Sequence, residues 1–150
     1  MECLSALKSA ISEVLETMFF TSVEFDQLDE SHQSDYYRST KISLFSEGKN
    51  LNITFCLMES FAKMISANFI GIDEEDVAEE EVEDVMRELT NMIGGNYMGR
   101  MALDSWQLGI PSLGSFEDAP GGQVYSLSFS FMGDHVGLVV LQAVSSSRER

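Results

Sequence analysis

Leu4, Leu7, Ile11, Val14, Leu15 and Met18 recur at three- and four-residue steps, with Lys8, Ser12, Glu13 and Glu16 between them. That spacing predicts an amphipathic helix at the start of the chain. A short extended piece around Val23–Leu28 follows, then a loop over the polar run Asp29–Asp35. Ile42 and Leu44 alternate with polar neighbours, Ser46-Glu47-Gly48-Lys49 supplies a turn, and Leu51, Ile53, Phe55 and Leu57 alternate again. This is a hairpin pattern. Ser60–Ile70 reads as a short helix closed by Gly71, where a C-terminal glycine belongs.

Asp73 opens the longest helical pattern. Acids crowd its first turns, where they complement the helix dipole. Val82, Val85, Met86, Leu89, Met92 and Ile93 follow at helical spacing, and after Gly94–Gly95 the pattern either ends or continues to about Met101. Tyr125, Leu127, Phe129 and Phe131 then alternate with serines, Gly133-Asp134 turns the chain, and Val136–Val144 is nearly all apolar. Such a run belongs in the centre of a sheet, buried on both faces. Residues 145–150 read as a solvated tail. The pattern predicts an α+β fold, an antiparallel β-sheet with helices packed on it, in a single domain over 1–150. Its halves, 1–72 and 73–150, look like variations of one helix-hairpin unit, with Glu13-Val14-Leu15-Glu16 set against Glu88-Leu89-Thr90-Asn91.

Composition narrows the function classes. Hydrophobic residues make up 44% of the 150 and charged residues 23%, as in an ordinary globular domain. The longest apolar runs are too short to span a membrane and the N-terminus lacks the features of a leader, so a cytoplasmic protein is expected. Net charge is −16, and nine of the twelve positions from Asp73 to Asp84 are acidic. A field of that sign argues against nucleic acid, whose binding draws on Lys and Arg. Cys3 and Cys56 have neither CxxC spacing nor a nearby His, which fits reduced thiols, with Cys56 in the core.

Candidate chemistry lies on the long helix. At about 100° per residue, Asp84, Glu88, Asn91 and Gly95 share a stripe displaced roughly 130° from the apolar centre. Two acids, an amide and a residue without a side chain stand there together. Gly95 would let another molecule approach the backbone; the plain alternative is that the glycines end the helix. His32 and His135 have no partner pattern, and the acidic run lacks the glycine of a calcium loop, since its sixth position is Ala78. No metal site is expected. The methionines read mainly as core, although Met98 could border a docking face, and Leu103–Gly114 with Trp106 yields no reading.

The run Asp84-Val85-Met86-Arg87-Glu88-Leu89-Thr90-Asn91-Met92-Ile93-Gly94-Gly95, with Pro111 twenty positions after the asparagine, resembles the signature of the CheC/CheX/FliY chemotaxis phosphatases. The order of elements is similar to the CheX branch over essentially the whole chain. The interval from Asn91 to Pro111 is shorter than the family pattern, and the first half has no amide in Glu13-x-x-Glu16, so one site per chain is expected. The resemblance implies a protein phosphatase that hydrolyses the aspartyl phosphate of a CheY-type response regulator. Asn91 would orient water, Glu88 would pair with the receiver's lysine, and Asp84, Gly95 and Met98 would touch the partner. It further implies a homodimer joined through the sheet, no cofactor of the chain's own, and Mg2+ carried by the response regulator. Two rivals stand beside it. One is a non-catalytic docking or scaffold module for a receiver domain or flagellar-switch component. The other is a dimeric sensory domain whose acidic helix binds a cationic partner.

Overall fold

Three α-helices and two long hairpins form in the computed structural model, whose described residues are 2–26, 36–114 and 123–145. The loop expected over Asp29–Asp35, His32 within it, and the tail 146–150 lie outside them. Helix α1 runs Glu2–Met18, and the short strand β1, Glu24–Asp26, follows. Strands β2 (Arg38–Ser46) and β3 (Lys49–Leu57) make the first hairpin, and α2 (Glu59–Ile70) ends at Gly71 in the left-handed conformation. Helix α3 spans Glu79–Arg100; β4 (Gln107–Leu108) and β5 (Ser112–Leu113) lead to the second hairpin, β6 (Gln123–Phe131) and β7 (Asp134–Ser145).

All seven strands join one antiparallel sheet, ordered β1-β6-β7-β3-β2-β4, with β5 also on β2. Strand β7 lies between β6 and β3, as its apolar run predicts. Exchanging the halves of the chain leaves this order unchanged. The short strand of each half pairs with the long hairpin of the other, β1 on β6 and β4–β5 on β2. All three helices pack on one sheet face, where Ile42, Leu44, Ile53, Phe55, Leu57, Leu127, Phe129, Val139 and Leu141 meet Leu7, Ile11, Leu15, Val82, Met86, Leu89 and Ile93 in one buried cluster. The opposite face holds a smaller cluster of Cys56, Leu138 and Val140. Burial pushes the Cys56 thiol up to about 11, so it stays protonated and packs as a small apolar group.

Several boundaries differ from those the pattern predicts. The long helix does not begin at Asp73. Glu74–Asp76 forms a separate 3-10 turn, and Val77 and Ala78 are extended before α3 starts. Val77 packs against the core, which breaks the helical path. The new start is capped by Glu81, whose carboxylate accepts the Ala78 N–H at 2.9 Å. Leu103–Gly114 contains β4 and β5, two parts of one edge strand interrupted at Gly109–Pro111. Pro111 has no N–H to offer a ladder, so it belongs in that gap. The second hairpin turns at Met132–Gly133, with Asp134 already paired to Phe131.

Candidate functional site

Helix α3 runs straight through Gly94–Gly95 to Arg100. Gly94 is buried, and a Cβ there would lie 3.0 Å from Leu108 and 3.3 Å from Ile42. The glycine is therefore needed inside the molecule, where it lets α3 settle on β2 and the edge strand. Gly95 is different. It is exposed, and a Cβ would meet only Leu108, at an ordinary 3.9 Å. Gly95→Ala is expected to raise stability by up to about 1 kcal/mol, the usual gain for alanine over glycine in a helix interior. If Gly95 is also a docking contact, the same change lowers affinity for the partner; thermal melts and titrations read the two effects separately.

The rotation of α3 is set from beneath. Thr90 is fully buried and its hydroxyl donates to the Met86 carbonyl at 2.8 Å. Its oxygen then accepts from Thr40 of β2, 2.5 Å away. With Thr90 pinned to the sheet, Glu88 lies about 160° round the helix and Asn91 about 100°. Their exposure agrees, for Glu88 is exposed and Asn91 half-buried. The two side chains are about 60° and 4.5 Å of rise apart on the outer face. Among the described residues neither makes a hydrogen bond or ion pair. Asp84, one turn before Glu88, is exposed and pairs with Arg87 at 3.0 Å. Such surface pairs are worth at most about 1 kcal/mol and are readily exchanged for another cation. Met98 is partly buried against the core, on the far side of Gly95 from Asn91.

The first half offers no second copy of this arrangement. Phe20 and Ala102 each stand two residues beyond the end of a long helix, at φ 57° and 55°. They are 82 positions apart, and that interval carries Glu88 to Ala6 and Asn91 to Ser9. The counterpart of Glu88-Leu89-Thr90-Asn91 is thus Ala6-Leu7-Lys8-Ser9, rather than Glu13-Val14-Leu15-Glu16. Seven residues are almost two full turns, so apolar spacing alone cannot separate these alignments. Glu13 instead ties α1 to α3. It accepts hydrogen bonds from Asn96 and Arg100, and these, the Asn96 bond first, hold its carboxyl below the usual range.

Other candidates have structural partners. His135 is joined to Tyr36, Nε2 to Oη at 2.6 Å. Among the described residues no three His, Cys, Asp or Glu side chains converge to hold a metal ion, and no helix is long and apolar enough to cross a membrane.

Comparison with known proteins bears on this face. The family model of the chemotaxis phosphatase CheX matches residues 39–120, the stretch that contains Glu88, Asn91 and Pro111. No curated protein sequence matches. The fold is similar to that of the chemotaxis protein CheX from Vibrio vulnificus, at a TM-score of 0.78 and 18% identity, covering 95% of this chain and 97% of that one. It is similar to CheX in the CheX–CheY–BeF3–Mg2+ complex from Borrelia burgdorferi, at 0.71 and 16%, with 95% and 97% covered. FliY from Thermotoga maritima shares it at 0.58 and 15%, with 95% and 85% covered.

Proposed function

The chain belongs to the family of the chemotaxis phosphatase CheX, and from that membership we propose that it hydrolyses the aspartyl phosphate of a CheY-type response regulator through Glu88 and Asn91. One observation carries the reading: an acid and an amide, neither of them engaged by another group among the described residues, stand a turn apart on the outer face of a helix whose rotation is locked. The crystallised complex of a CheX with a CheY supports the class of partner.

The residue types suit the reaction. An acyl phosphate is already activated, so catalysis consists mainly of positioning a water in line and stabilising charge. Asn91 can accept a hydrogen bond from that water and donate one toward a phosphoryl oxygen. A carboxylate in its place would be repelled by the phosphoryl charge. Glu88 pairs with the lysine beside the receiver's phosphorylated aspartate, and Asp84 exchanges Arg87 for a contact at the rim. The divalent ion, Mg2+, comes with the response regulator. A homodimer joined through the sheet completes the reading.

A pure docking module would keep Glu88 but has no use for an amide next to it. The test is to phosphorylate candidate receivers and time the loss of phosphate with and without the protein. Acceleration supports the phosphatase; complex formation with unchanged decay leaves the docking module. Glu88→Gln is expected to weaken the complex roughly thirty-fold or more, because truncating one partner of a desolvated charge pair costs about 2–5 kcal/mol. Isothermal titration against the activated receiver measures it.

A further inference from the structure

Beside Glu88 the surface drops into a groove of about 360 Å³ between α3 and the C-terminal end of α2. Phe69, Ile70 and Val85 line its apolar part, and Glu81, Asp84 and Glu88 its acidic rim. Ile70, the last residue of α2, keeps 39% of its surface exposed. Glu81, Asp84, Val85 and Glu88 stand at i, i+3, i+4 and i+7, so groove and stripe lie on one side of α3 and share Glu88. Of the three carboxylates, only Asp84 has a cationic partner among the described residues, the half-buried Arg87. Glu81 accepts a backbone N–H, and Glu88 has no partner among the described residues.

We propose that this groove is a second docking element for the response regulator, taking an apolar side chain from an amphipathic helix of the partner while Lys or Arg residues of that helix pair with the rim. The inference rests on the function proposed above and extends it. Charge complementarity selects the occupant: an apolar floor inside three carboxylates rejects an acidic segment and suits a basic amphipathic one. A second copy of this chain, with nine Lys and Arg against 25 Asp and Glu, offers few cations to pair with that rim. Because Glu88 belongs to both the groove and the stripe, the molecule that fills the groove is the one whose phosphoryl group reaches Asn91.

The experiment follows phosphate decay over a range of phosphorylated receiver concentrations with wild-type protein, Ile70→Asp and Glu81→Gln. Ile70 is partly exposed at a helix end, so the variant should fold, and circular dichroism checks this. For Ile70→Asp the expected result is a KM raised about tenfold or more with kcat within twofold of wild type. Glu81→Gln, which removes a rim charge but keeps an oxygen to accept the Ala78 N–H, raises KM in the same direction. An unchanged KM in both variants overturns the inference, as does a fall in kcat at constant KM. A dimer that dissociates in Ile70→Asp while KM holds also overturns it, because the groove would then seat a second copy. The two readings fail separately. Wild-type protein that binds the activated receiver through Ile70 without hastening decay sinks the phosphatase and leaves the groove.

Discussion

Asn91→Ala is expected to remove the acceleration of phosphate loss from a phosphorylated receiver, by about 10²–10³-fold, the effect of deleting one preorganised polar group at a reacting centre. Binding should hold within a few-fold, because Asn91 is half-buried and Glu88 and Asp84 remain. The fold should hold as well, since the Asn91 side chain bonds to nothing in its own molecule among the described residues. Asn91→Asp sharpens the test. It keeps the shape but brings a charge toward the phosphoryl oxygens, and should be no better than alanine. Decay at the wild-type rate with either variant would show that the amide has no part in catalysis.

Gly137→Ala should have the largest effect on stability for the smallest change in mass. Gly137 lies opposite Leu57 and Phe129 in the centre of the sheet. An added Cβ would stand 2.7 Å from Cε2 of the Phe129 ring and 3.0 Å from Leu57. The ring has little room to retreat, because Phe25 and Phe61 hold it edge-on with centroids 6.1 and 6.2 Å away. Overpacking of this kind costs about 1–3 kcal/mol, a fall in Tm of roughly 2–12 °C for a chain of this length. Adding Phe129→Leu should recover part of the loss, although that change alone removes buried surface. A double-mutant cycle read by thermal melts tests the coupling; additive losses would place the strain elsewhere.

What was legible in the sequence was what repeats over several turns or residues. The first hairpin and β6 follow from period-two alternation, β7 from its continuous apolar run, and the outward face of α3 from the arc of Val82, Val85, Met86, Leu89 and Ile93. Glu88 and Asn91 could be found because those apolar neighbours fix which way the rest must point. Features that depend on one or two residues were hidden. Strands β4 and β5 are two residues each, too short to show alternation, and exist only because β2 offers them an edge. The 3-10 turn at Glu74–Asp76 has the acids of a helix start, and only the burial of Val77 separates it from α3. The role of Gly94 depends on Leu108, fourteen positions away in another element. The groove at Ile70 joins two helices that nothing local links.

The exchange of short strands between the halves has a consequence for how the protein comes into being. Each half's long hairpin has its outer edge closed by a segment of the other, and β3 meets β7 across 80 to 96 positions of chain. Long-range pairings of this kind form slowly, since distant segments must find each other before any contact rewards the search. The Thr40–Thr90 bond that aims α3 itself joins residues from the two halves. A nascent chain leaving the ribosome therefore holds Glu88 and Asn91 well before it holds them in place, and the outward face becomes usable only after the last strand has emerged and docked.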